Sequence, residues 1–154
     1  MSGWVREGAF VTVVAVSSTL FAAEKSIPRS ALPPAVEKTV QEQAKGAEIK
    51  GISSETEDGV FQYEIEMRVN GHGKDIAIAK DGTLLEVEEE VSMNTLPTAV
   101  QTALAAKADA AKITKVESLT KKNKLVAYEA ATLKGTKKGE IQVGPNGEKL
   151  AREE

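Results

Sequence analysis

Apolar residues recur along this chain in two rhythms, one of four and one of two. Leu32, Val36, Val40 and Ala44 stand four apart, as do Leu96, Val100, Leu104 and Ala108. That spacing gathers the side chains on one face of a helix, so two amphipathic helices are predicted. Pro33 and Pro97 fall in the first turns, where a missing N–H costs nothing. Ser30 is the candidate cap of the first helix and Asn94 or Thr95 of the second, with Gly46 the stop of the first. Alternation by two follows each helix. Phe61, Tyr63, Ile65, Met67 and Val69 are interleaved with Gln62, Glu64, Glu66 and Arg68, the pattern of a half-buried strand. Its counterpart runs near Leu125–Leu133. Shorter strands carry Ile76 and Ile78, or Ile141 and Val143. Asp81-Gly82 and Asn146-Gly147 read as hairpin turns, because these residues tolerate positive φ. A closing strand is predicted at Leu85 and Val87, and another at Leu150. Earlier strands fall near Glu48–Glu55 and Lys112–Leu119.

These elements are written twice. Leu32-Pro33-Pro34-Ala35-Val36 returns as Leu96-Pro97-Thr98-Ala99-Val100, an offset of 64. One extra residue near Leu119–Lys124 moves the offset to 65, at which Tyr63-Glu64 meets Tyr128-Glu129 and Asp81-Gly82 meets Asn146-Gly147. An ordered series with a single shift marks a duplicated unit. The expected fold class is α+β: two tandem repeats, residues 32–91 and 92–154, each one helix packed on an antiparallel sheet of about four strands. The second face of each sheet is expected to be wet.

Residues 1–23 differ from the rest. Arg6 precedes an uncharged run from Gly8 to Ala23, which Glu24 and Lys25 end. The run is shorter than the ~20 residues of a spanning helix. It closes on small residues, so 1–23 read as a signal peptide, with a retained membrane anchor or a buried first strand or helix as the alternatives, and 24–31 as a linker. The expected location is periplasmic or secreted, with no membrane attachment once the signal is cleaved.

Composition narrows the chemistry. Aromatic residues are 4% of the chain, so Val, Ile, Leu and Ala must build the core. The absence of cysteine removes disulfides, thiolate metal sites and a cysteine nucleophile. A net charge of −3 argues against general nucleic-acid binding. His72, the one histidine, lies between two glycines and reads as a solvated turn residue. No phosphate loop or serine elbow is present. Glu86, Glu88, Glu89 and Glu90 form the densest acidic run. A cation site is conceivable there, but EF-hand spacing is absent, and the run reads first as a solvated strand edge and linker. No catalytic, cofactor or metal-ligating residue is therefore assigned. Charge divides by repeat: residues 32–91 hold 14 acidic and 6 basic residues, and 96–154 hold 7 acidic and 11 basic. Such a contrast steers a charged partner or draws the repeats together. The candidate partner-binding residues are Glu64, Glu66 and Glu129, outward on the Tyr-Glu strands, and Lys121, Lys122 and Lys124 in the basic turn.

The Leu-Pro-x-Ala-Val helix start, the Tyr-Glu strand and the Asp-Gly or Asn-Gly hairpin resemble the PepSY family, in the tandem form grouped with β-lactamase-inhibitor-like folds. The resemblance covers residues 32–154. It implies a bacterial exported or periplasmic protein with helix-on-sheet repeats, and for such a family an inhibitory or peptidase-regulating role is the expectation. Phe61, Tyr63 and Tyr128 alternate as core residues do, which leaves no aromatic anchor for a tight inhibitor surface. The expected function is a non-enzymatic envelope binding protein whose partner is a protein. A periplasmic binder or sensor of small ligands or divalent cations is the alternative.

Overall fold

The computed structural model describes residues 25–57 and 59–152. The expected signal peptide, 1–23, lies outside them. Eight strands run in sequence order: β1 Lys25–Ser26, β2 Ala47–Glu57, β3 Val60–Val69, β4 His72–Ala79, β5 Leu84–Glu90, β6 Lys112–Lys121, β7 Lys124–Lys134 and β8 Lys137–Val143. Helix α1, Pro34–Gln43, lies between β1 and β2; helix α2, Thr98–Ala108, lies between β5 and β6. A 3₁₀ turn precedes each helix, Arg29–Ala31 and Met93–Thr95. No described helix is long and apolar enough to cross a membrane.

The sheet corrects the expected fold class. There are not two units each with its own sheet of four strands. One sheet runs β1 to β8, every neighbour antiparallel. β5, expected to close the first unit, also pairs with β6 through Glu86↔Lys121 to Glu90↔Glu117. The strand expected at Leu150 does not form. Its hairpin turn does: Gly147 has φ +81°, beside +86° at Gly82, but no strand follows it among the described residues. The order strand, 3₁₀ turn, helix and three strands therefore occurs at β1–β4 and again at β5–β8. Registers match at the 64-residue offset, since Lys25↔Ser54 corresponds to Glu89↔Ser118.

Both helices cover the same side of the sheet, because alternation sends the apolar residues that way. Val36 and Val40 of α1 cluster with Ile52, Ile65, Met67, Ile76 and Ile78. Val100 and Leu104 of α2 cluster with Val116, Ala130 and Val143. Tyr63 packs against the first cluster and Tyr128 against the second, as the alternation requires. Truncating a fully buried member such as Ile65 to alanine removes about 2–5 kcal/mol. The two clusters share no residue.

Two local expectations change. Neither helix has a side-chain cap; the N-cap positions are Pro33 and Pro97. The polar residues before the second helix are spent in its 3₁₀ turn, where Thr95 Oγ1 donates to the Ser92 carbonyl at 2.7 Å. Phe61 is not a core residue. It is 36% exposed beside Val60, with the Lys80 ammonium 4.3 Å above its ring.

The hairpin glycines join the turns to the helices. A Cβ at Gly82 would stand 2.6 Å from the Ala35 carbonyl oxygen, and one at Gly147 2.5 Å from that of Ala99. Gly46 also has positive φ but has open space around it. Gly82→Ala and Gly147→Ala should therefore each cost about 1–3 kcal/mol, while Gly46→Ala costs about 1 kcal/mol or less. Urea unfolding of the three variants measures this. Equal losses would mean that the close approach to the helix carries no weight.

Candidate functional site

The side of the sheet without helices collects the alternate, polar residues of each strand. Across the middle, Glu66 on β3 stands beside Asp75 on β4, Asp75 beside Glu88 on β5, and Glu88 beside Leu119 on β6. The next row holds Glu90, Glu117 on β6, Glu129 on β7 and Gln142 on β8. Carboxylate oxygens of Asp75, Glu88 and Glu117 lie within 4.8 Å of one another, and Glu117 is buried. Ala77, Leu119 and Ala127 are also buried on this side. The expectation of a wet face is thus met only at the margins. A sheet of eight strands twists, and its centre is more enclosed than a flat surface.

Lysines offset part of this charge. The Lys115 ammonium lies 2.7 Å from Glu117, and that of Lys121 lies 3.3 Å from Glu86. The Gln142 amide donates to Glu129 at 2.6 Å, and the Gly73 N–H donates to Glu90 at 2.9 Å. Burial and then the charges of Glu117 and Glu66 raise the Asp75 carboxyl above its ordinary range. Burial, followed by repulsion from Glu129, Glu86 and Glu117, pushes Glu88 up to about 8. Glu129 also rises to about 8, through burial and a hydrogen bond with Glu140, with the Gln142 amide working the other way. At Lys115, burial opposes the charge but the hydrogen bond to Glu117 outweighs it, and the ammonium is held above its usual value.

The residues singled out in the sequence fall in three places. Glu64, Glu66 and Glu129 all lie on the helix-free side, and Glu129 joins the central cluster. Glu66 sits over Gly51, where its carboxylate would be 2.8 Å from an added Cβ. Lys121 ends β6 on the same side, and Lys124 is its cross-strand partner. Lys122 is exposed in the intervening turn with φ +50°. His72 is exposed at the start of β4.

The acidic run is corrected. β5 is a central strand rather than an edge or linker, so Glu86, Glu88 and Glu90 are half-buried. Glu89 points to the helix side, as alternation demands. Asp75 and Glu117 were missed. Each is a single acid in an otherwise unremarkable strand, and only the β4–β5–β6 pairing brings them to Glu88.

One antiparallel sheet with two helices on one face and a carboxylate-rich opposite face defines an α+β fold. Residues 20–86 and 62–143 match the family described as "Putative beta-lactamase-inhibitor-like, PepSY-like", and the chain belongs to that family. The fold is shared with solved structures from several Bacteroides species. A "putative periplasmic" protein of Bacteroides eggerthii is 18% identical with TM-score 0.61, covering 76% of this chain and 84% of its own. A "BLIP-like protein" of Bacteroides fragilis is 21% identical with TM-score 0.56, covering 79% and 82%. A "DUF2874 family protein" of Bacteroides uniformis is 15% identical with TM-score 0.60, covering 78% and 86%. No curated protein matches the chain in sequence.

The carboxyl groups make stability depend on pH. From the ordinary glutamate range up to about pH 8, the folded chain keeps protons on Glu88 and Glu129 that the unfolded chain has released. Stability should therefore fall as pH rises through this window and level off above it. Urea midpoints across the window test this, and Glu88→Gln should flatten the decline. A midpoint that climbs with pH would refute the assignment.

Proposed function

We propose that this chain is an exported, non-enzymatic binding protein of the bacterial cell envelope, and that its helix-free acidic face receives a basic surface of a protein partner. The convergence of Asp75, Glu88 and Glu117, with Glu129 beside them, carries this reading. Taking four carboxylates out of water together is costly, and a partner's lysines or arginines would relieve the cost. Family membership supports an inhibitor-like, peptidase-regulating role, and the name of the Bacteroides eggerthii neighbour supports the envelope. We read residues 1–23 as the leader removed on export, with Glu64, Glu66, Lys121, Lys122 and Lys124 at the margins of the binding face.

Capture from an envelope extract at low salt tests this with a built-in control. The wild-type chain should retain a partner that the combined Asp75→Asn, Glu88→Gln, Glu117→Gln variant loses, and salt should weaken the interaction. Equal recovery by both proteins would sink the reading.

A second reading rests on the same distance. Oxygens 4.8 Å apart can lie on opposite sides of one Ca²⁺, whose ligands stand at about 2.3–2.6 Å. Three carboxylates would supply part of the shell and water the rest. Millimolar Ca²⁺ should then raise the melting temperature of the wild-type chain and leave Glu88→Gln unmoved. An unchanged wild-type melting temperature would eliminate this alternative.

A further inference from the structure

The tips of the β3–β4 and β7–β8 hairpins are twins in backbone and unlike in charge. Both close with a two-residue turn, Asn70-Gly71 and Gly135-Thr136, between the pairs Val69↔His72 and Lys134↔Lys137. Val69, His72 and Gly73 at the first tip correspond to Lys134, Lys137 and Lys138 at the second, at an offset of 65. Glu48, near the start of β2, corresponds to Lys112 at the start of β6, at an offset of 64. The fold thus builds the first tip with no lysine at any of these four positions. The lysines of the second tip answer no demand of the hairpin itself.

They also work against it. Lys134 and Lys137 stand directly opposite each other, where like charges are destabilising. Lys112, Leu133 and Lys138 form one row across β6, β7 and β8. Two strand spacings set the backbones of Lys112 and Lys138 about 10 Å apart on the helix-free side. Alternation puts Lys134 and Lys137 on the other side. All four lysines are exposed. The Lys134 ammonium donates to the Asp109 carbonyl at 3.2 Å and lies 3.5 Å from its carboxylate. Lys112, Lys137 and Lys138 make no ion pair with a described residue. Glu140, the one acid of β8, is hydrogen-bonded to Glu129. The cations at the first tip are answered: Arg68 donates to the Gly71 carbonyl at 2.9 Å, and Lys74 faces Glu89.

Shape and composition select the partner. The second tip projects, since every residue from Lys134 to Glu140 is exposed and a Cβ at Gly135 would meet nothing within 4 Å. It carries no aromatic residue and no arginine, the usual anchors of a protein interface, from which lysine is depleted. Lysines are flexible point charges. Mobile anionic headgroups can move to meet lysines on both faces of a hairpin, whereas a folded acidic protein would have to wrap around it.

We propose that the lysine-bearing tip of the β7–β8 hairpin docks against a membrane surface rich in anionic phosphate headgroups. The contact is electrostatic and reversible. The carboxylates in the middle of the sheet are repelled by the same surface, so the chain meets it by this end. The contact does not depend on the acidic centre being a binding face.

The test is cosedimentation of the full chain, at low salt, with vesicles of phosphatidylcholine alone or of equal parts phosphatidylcholine and phosphatidylglycerol. Phosphatidylcholine registers whatever the uncharged run Gly8–Ala23 contributes. The wild-type chain should bind the anionic vesicles at least about tenfold more tightly, and added salt should remove this margin. The combined Lys112→Gln, Lys137→Gln, Lys138→Gln variant should lose the margin without a lower melting temperature, because the substitutions remove repulsion. Lys38→Gln, Lys45→Gln, Lys149→Gln makes the same change in net charge elsewhere and should keep it. A nitroxide on the anionic headgroup should broaden the wild-type amide signals of Gly135, Thr136 and Lys137 before that of Asn123, at the opposite end of β7. Equal binding of the wild-type chain to both vesicles, an undiminished margin in the tip variant, or broadening strongest away from the tip would overturn the proposal. Should the tip variant fail to fold, the broadening profile decides. Release by inorganic phosphate at an ionic strength where chloride releases nothing would assign the tip to free phosphate. Tighter binding of an oligoglutamate peptide than of anionic vesicles would assign it to an acidic protein. Either result overturns the membrane contact.

Discussion

The ladder between β5 and β6 holds this molecule together. Each helix seals its own hydrophobic cluster, and the two clusters share no side chain. The pairs from Glu86↔Lys121 to Glu90↔Glu117, with the Val91 N–H to Val116 carbonyl bond beside them, turn two packed halves into one sheet. β5 thereby closes the first half and opens the second. The two β5 faces answer different demands. Leu84 and Val87 pack toward the first core, while Glu86, Glu88 and Glu90 line the other side.

This double role creates the acidic centre. A strand flanked on both sides cannot expose its carboxylates as an edge strand does, so burial works against their charge. Asp75 enters from β4, and Glu117 and Glu129 from β6 and β7 across the junction. Lys115 and Lys121 supply part of the compensation from the second half. The acidic first half and basic second half thus meet at this seam, and the basic half does not neutralise it. Burial and mutual repulsion raise the Glu88 and Glu129 carboxyls, and positive charge brought near would lower that cost. That is how strand order sets the electrostatics of this face.

Much of the local structure was legible because it depends on short spacings. Four-residue periodicity located both helices, and alternation located β3 and β7 with their tyrosines inward. The Asp-Gly and Asn-Gly pairs located turns whose glycines do have positive φ. Phe61 was misread because alternation reports which side of a sheet a residue faces, not how deeply it is buried there. The Leu150 strand was misread because resemblance to Leu85 does not supply a neighbour such as β6 to pair with. At the site, Glu129 was visible as an outward partner of Tyr128. Asp75 and Glu117 carried no signal of their own, since each becomes part of a cluster only through partners tens of residues away.

The amino-acid sequence by itself located both helices, most strands and the face their side chains take, because these follow from bond geometry and near-neighbour spacing. Only the tertiary structure decided that the two halves share one sheet and that an acidic strand lies in its middle rather than at its rim. Those outcomes depend on hydrogen bonding between segments distant along the chain, and alternation is blind to which strands become neighbours.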